Sequence, residues 1–141
     1  MTISLLIAQT DKEIEGSFSV FKELRPHLEP ELFLPQIRRQ QAQGYQLLLL
    51  RENDSVKSVA GFRMGEFLAW GKIVYIDDLA TLSSARSKGY ADMLMDWVIN
   101  YAREQGCKAV HLDTGYARHD AHRLYLRKKM KLTSHHMSLE L

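Results

Sequence analysis

The run LSSARSKGYADMLMDWV, residues 82–98, sets Arg86, Ser87, Lys88, Gly89, Tyr90 and Ala91 where a helical pattern begins. A helix start ordinarily carries Asp, Ser, Thr or Asn as its cap, with early acidic residues that suit the positive end of the dipole. Here the turn is basic and small. That is the wrong charge for the helix alone and the right charge for a bound anion. First-turn main-chain N–H groups have no partner inside the helix, and a phosphate can accept several of them together. Gly89 lacks the Cβ that would hold a diphosphate off the backbone, and Ala91 is nearly as small. Arg86 can take phosphate as a fork, Lys88 as a mobile point charge. The string is neither G-x-G-x-x-G nor a P-loop. A second reading of Gly89 stays open: it lets a helix pack closely on a sheet.

Other groups are weaker candidates. Arg118, Arg123, Arg127, Lys128, Lys129 and Lys131 crowd one segment against a single Asp120. Such a face is a solvated helix or an anion site. It lacks interleaved exposed aromatics, since Tyr125 falls on the apolar side, so nucleic acid is not expected as a partner. His119 and His122 are three apart and can share a helix face. A zinc site needs more ligands, and Cys107 precedes a different strand, so no metal is expected. His135 and His136 are adjacent on an expected strand and point to opposite faces.

These residues need a scaffold. A chain of 141 residues, 45% apolar and 26% charged, is long enough to bury a core and reads as one domain over 1–141. ISLLIA reads as a first strand, too short for a signal core or a membrane span and followed by DKEIE. With one cysteine, Cys107, the chain forms no internal disulfide, which fits a cytoplasmic protein with no membrane partner. Thr10 and Glu13 form a capping box for a helix over 11–24 whose apolar face is Ile14, Phe18, Phe21 and Leu24. Pro35 is expected to start a further helix that Gly44 stops near Gln43. YQLLLLREND, SVKSVAGFRMGEFLAWG and KIVYIDDLATL read as three strands of an antiparallel meander, the middle one bent at Gly61 or Gly65. A helix over 88–105, ended by Gly106, crosses over to a strand, KAVHLDT, parallel to the third meander strand. RHDAHRLYLRKK is a helix, and SHHMSLEL an alternating final strand. The fold class is α+β, layered: a mixed, largely antiparallel central sheet with helices on its faces.

RSKGYA matches the R/Q-x-x-G-x-G/A motif of the GNAT superfamily, the acyl-CoA-dependent N-acetyltransferases, and stands where that family puts it. Downstream, AHRLYL resembles the family's A-x-x-L/F-Y segment. The resemblance covers residues 72–141 through motifs, and the remainder through element order. It implies a GNAT-like fold with acetyl-CoA as cosubstrate. It also implies a bulge where strands four and five splay, with the pantetheine arm along Ala80, Thr81 and Leu82 and the pyrophosphate on the amides of residues 86–91. The departures are Arg118 where many relatives carry Asn, and Lys129-Met130 where they carry Gly-Phe. Lys129 must then take a helix-end conformation usual for Gly.

The implied reaction is direct acetyl transfer to a primary amine, on a small molecule or a protein. An alkyl amine with a pKa of ~10.4 needs about 4.6 kcal/mol to lose its proton at pH 7. Asp77 and Asp78 are candidate bases, with Glu66 further off. Strand alternation points the first two to opposite faces, and Asp78 is favoured. Tyr125 is the family-matching general acid for the departing thiolate. A proton passed from a phenol near ~10 to a thiolate near ~8.5 moves uphill by about 2 kcal/mol. Tyr125 therefore acts as a hydrogen-bond donor, or its pKa is lowered by the basic helix around it. Phe67 and Trp70 lie near the expected cleft mouth, as acceptor lining or as core. The alternative function is a non-catalytic acyl-CoA-binding regulatory module, and a homodimer is compatible with either.

Overall fold

The computed structural model describes residues 2–115 and 118–141, with the backbone alone at position 119. The chain divides into two compact units, Met1–His111 and Leu112–Leu141. In the first unit, β1 (Ile3–Ile7) leads through α1 (Asp11–Gly16), α2 (Phe18–Leu24) and α3 (Pro30–Ala42) to the meander β2 (Gln46–Glu52), β3 (Ser55–Phe67) and β4 (Gly71–Thr81). A short 3-10 turn, Ser83–Ala85, precedes α4 (Tyr90–Glu104) and β5 (Ala109–Leu112). The sheet order is β1-β2-β3-β4-β5. The pairs β1/β2, β2/β3 and β3/β4 are antiparallel. Lys108 N–H donates to the Lys72 carbonyl at 2.8 Å. β5 therefore starts beside the start of β4 and runs with it, the parallel pair that the crossover through α4 requires.

Helices cover both faces. Ile14, Val20, Phe21, Phe33 and Ile37 bury against Tyr45, Leu47, Leu49, Val59 and Ala80 on one side. On the other, Leu94, Met95, Val98 and Ala102 of α4 are buried, and Phe62 packs its ring against Trp97 and Tyr101 at 6.0 and 5.4 Å. Gly106, at φ 73°, ends α4 as its spacing requires.

Three expectations are corrected. The helix over 11–24 is two helices, because the buried Ser17 turns its hydroxyl onto the Ile14 carbonyl at 2.6 Å and competes with the ladder. The helix expected from Pro35 already starts at Pro30, with Pro35 inside it. Pro30 occupies the first helical position, where no N–H is needed. An internal proline costs about 3 kcal/mol. Burial of Phe33 and Ile37, each worth about 1.5–3 kcal/mol, offsets it. Phe33 also meets the rings of Phe18 and Phe21 at 5.2 and 5.4 Å. Finally, the expected last strand does not form: residues 130–141 carry no regular structure, and Met137, Leu139 and Leu141 are exposed. Alternation says which face of a strand would be buried, but a strand also needs a neighbour to pair with. The opposed-face reading of His135 and His136 lapses with it.

Candidate functional site

β4 leads into the basic turn. Leu82 N–H donates to the Lys57 carbonyl at 2.9 Å, which carries the β3/β4 ladder one step past Thr81. Two residues of the turn then take positive φ, Ser87 at 66° and Gly89 at 79°, and Gly89 caps α4. A Cβ built on Gly89 meets no heavy atom within 4 Å. Gly89 is thus required by its backbone angle, and the close-packing reading is set aside. The first bond of α4 runs from Met93 N–H to the Gly89 carbonyl. By helix geometry the N–H groups of the preceding turn have no acceptor inside the helix. Lys88 Nζ lies 3.2 Å from a Glu52 oxygen, and the Tyr90 hydroxyl donates to the same oxygen. That Tyr90 bond, and then Lys88, hold the Glu52 carboxyl below its usual range.

The open edge at Ala80, Thr81 and Leu82 follows from strand lengths. Ala80 and Thr81 pair with Val59 and Ser58 of β3 on one side. On the other side lies β5, which has four residues and begins next to Lys72. It ends before β4 reaches Ala80, Thr81 and Leu82.

The bulge lies at the carboxylates. In the β3/β4 register Gly61 faces Asp78 and Phe62 faces Ile76, so Asp77 is an extra residue in β4. A bulge breaks strict alternation. The expectation that Asp77 and Asp78 point apart is corrected, because both carboxylates reach one cluster. Asp78 accepts from the Tyr45 hydroxyl at 2.9 Å and from Arg25 Nε at 2.8 Å and forms an ion pair with Arg25 Nη2 at 2.6 Å, while Nη2 donates to the Asp77 carbonyl at 3.2 Å. Asp77 accepts from Arg63 Nε at 3.1 Å and Nη2 at 2.5 Å. The Arg63 guanidinium lies over the Tyr45 ring, 5.4 Å from its centroid. Burial raises the proton affinity of Asp77, and Arg63 opposes it. Burial, then Asp78, pushes the Tyr45 phenol well above its ordinary value. A Cβ on Gly61 would collide with the Tyr45 ring, so this glycine makes room for the Tyr45–Asp78 bond.

Tyr45, Arg25, Arg63 and Glu52 carried no local signal in the sequence. Each is joined to its partner across many residues, and Gly61, read in the sequence as a bend, is where the Tyr45 ring comes close. The Phe67 and Trp70 rings pack at 5.2 Å, tilted by 57°, and are about half exposed, which rules out a core role. The Trp70 ring also meets His111 at 4.5 Å.

In the second unit, α5 (His119–Arg127) carries the buried Tyr125. Burial raises its phenol, against a smaller opposing pull from Arg118. The lowered value expected from a basic helix is therefore corrected. Desolvation penalises the phenolate more than the neighbouring cation favours it. Lys129 has φ 65°, the helix-end conformation expected in place of Gly. His122 Nε2 lies 2.9 Å from the Gly115 carbonyl. The pairing of His119 with His122 lies outside the described side chains. Among the described residues no three His, Cys, Asp or Glu side chains converge as a metal site would need, and no helix is long and apolar enough to cross a membrane.

Residues 10–130 match a family described as Acetyltransferase (GNAT) family. The chain is 35% identical over 118 residues, 83% of each protein, to an uncharacterized N-acetyltransferase YhdJ of Bacillus subtilis (strain 168). The fold superposes on the aminoglycoside N-acetyltransferase AAC(6')-Iy in complex with CoA, with a TM-score of 0.85 at 14% identity, covering 99% of this chain and 95% of that one. It superposes equally well, at 0.85 and 20% identity over 99% and 100% of the two chains, on a transcriptional regulator from Bacillus halodurans C-125. At such identities the likeness is one of fold.

Proposed function

The chain belongs to the GNAT acetyltransferase family, and from that premise we propose that it moves an acetyl group from acetyl-CoA directly to a primary amine. The observation that carries this reading is the turn at Ser87 and Gly89, bent by two positive φ angles in front of a 15-residue helix, with open space at the Gly89 Cα. Its residues suit the diphosphate of acetyl-CoA. The amides of residues 86–91 accept the charge, with Arg86 and Lys88 as cations. Ala80, Thr81 and Leu82 offer main-chain groups to the amide arm of the donor. The AAC(6')-Iy likeness, whose solved form holds CoA, supports the same cosubstrate.

For the chemistry, Asp78 is proposed to draw the acceptor ammonium to the bulge and help strip its proton. Both its oxygens are already engaged by Tyr45 and Arg25, so the proton reaches it through water. The amine nitrogen then bonds to the thioester carbonyl carbon, gives up its second proton to water, the C–S bond breaks, and the thiolate leaves. Tyr125 is proposed to meet that thiolate. Its raised pKa suits a neutral hydroxyl that donates a hydrogen bond. The cytoplasm is the proposed compartment, on the strength of the free thiol Cys107.

The test combines calorimetry with acetyl-CoA and a screen of amines for CoA release. Micromolar binding with amine-dependent release is expected. Tyr125→Phe is expected to keep binding and lose most turnover, while normal turnover would remove Tyr125 from the mechanism. Tight binding with no release across a broad amine set would instead favour a regulatory acyl-CoA-binding module.

A further inference from the structure

Two carboxylates from distant parts of the chain grip the turn ahead of α4, one at each end. At its entry Glu23 of α2 accepts from the Ser83 main-chain N–H at 2.8 Å and from the Ser83 hydroxyl at 3.0 Å. At its exit Glu52, the last residue of β2, accepts from Lys88 Nζ at 3.2 Å and from the Tyr90 hydroxyl. Both acids are held below their usual range, Glu23 chiefly by the Ser83 N–H and Glu52 chiefly by Tyr90. Between these anchors stand Ser87 and Gly89 at positive φ. Ser87 carries a side chain, which rarely adopts that region unless its surroundings enforce it.

Acidic groups at the rim of an anion receptor oppose the charge it is meant to take, and Glu52 also occupies a cation the anion would use. Their placement is explained by geometry. Glu23 fixes where the chain leaves β4. Glu52 fixes the first helical residue, Tyr90, and so the direction of the amides beside it. We propose that Glu23 and Glu52 are positioning residues that hold the donor turn in its anion-receiving shape before ligand arrives. This rests on the reading of that turn as the acetyl-CoA diphosphate site.

Charge and bracing separate by substitution. Glu52→Gln keeps an oxygen for Tyr90 and removes the repelling charge, whereas Glu52→Ala removes both. Glu23→Gln and Glu23→Ala form the second pair. Hydrogen exchange of the bonded amides that flank this turn, Leu82, Ala85 and Met93, in the ligand-free protein is read alongside KM and kcat for acetyl-CoA. The alanine variants are expected to exchange about tenfold faster at this turn and to raise KM about tenfold, the scale of one lost hydrogen bond to a charged group. Their kcat should stay within about twofold, and the glutamine variants should recover most of the loss. Exchange at wild-type rate in Glu52→Ala would overturn the proposal, and so would a Glu52→Gln variant as impaired as Glu52→Ala. The exchange arm contains no ligand. If acetyl-CoA gives no heat with wild-type protein, the donor-site reading fails while exchange still decides the bracing.

Discussion

A methyl group added at Gly89 would find open space, yet φ is 79° there, a region that disfavours side-chain-bearing residues by about 1–2 kcal/mol. Gly89→Ala should therefore fold normally by circular dichroism and bind acetyl-CoA about tenfold more weakly in calorimetry. Gly89→Val, β-branched, should abolish binding. Gly61 fails in the opposite way. Its added Cβ would meet Cε1 of the buried Tyr45 at 2.7 Å. Gly61→Ala is expected to lower stability by about 1–3 kcal/mol in urea unfolding, the range for an overpacked core. The RSKGYA turn was legible in the sequence because its chemistry lies in adjacent residues. The Tyr45–Asp78–Arg25 cluster was not, because its bonds join positions 33 and 53 residues apart.

At the scale of elements, α1 stands on its capping box. Thr10 Oγ1 accepts from Glu13 N–H at 3.1 Å, and Glu13 accepts from Thr10 N–H at 2.9 Å. Thr10→Ala should cost about 1 kcal/mol, read as a lowered Tm. Glu13 is held below its ordinary 4.5, first by the Thr10 N–H and then by that of Gln9. Its contribution is present above 4.5 and is lost as pH falls through the lower folded value. The unfolded chain binds the extra proton in that window, so stability rises with pH there. Glu13→Gln should accordingly show a shallower loss of Tm on acidification below pH 4.5. The end of α2 does different work. Glu23 reaches Ser83 while Arg25, just past the helix, reaches Asp78. One short helix thereby ties down both the bulge and the exit of β4. The helical period foretold this segment but not its break at Ser17, since a hydroxyl turned onto a carbonyl leaves no trace in the spacing of apolar residues.

Across the molecule, the meander, the crossover and the two-sided helical cover followed from apolar period and turn residues, which act through near neighbours. The bulge did not, because an extra residue changes register without changing composition. The tail was misread because alternation at Met137, Leu139 and Leu141 has no described partner strand. All three are exposed. Met137→Lys with Leu139→Lys should move Tm by less than about 2 °C, as substitutions at exposed sites do. The two left-handed residues ahead of α4 have a kinetic consequence. A seat already bent into shape needs no slow rearrangement as its guest arrives. Stopped-flow traces with acetyl-CoA should then be single exponentials whose rate climbs in proportion to concentration, without the plateau that marks a slow conformational step.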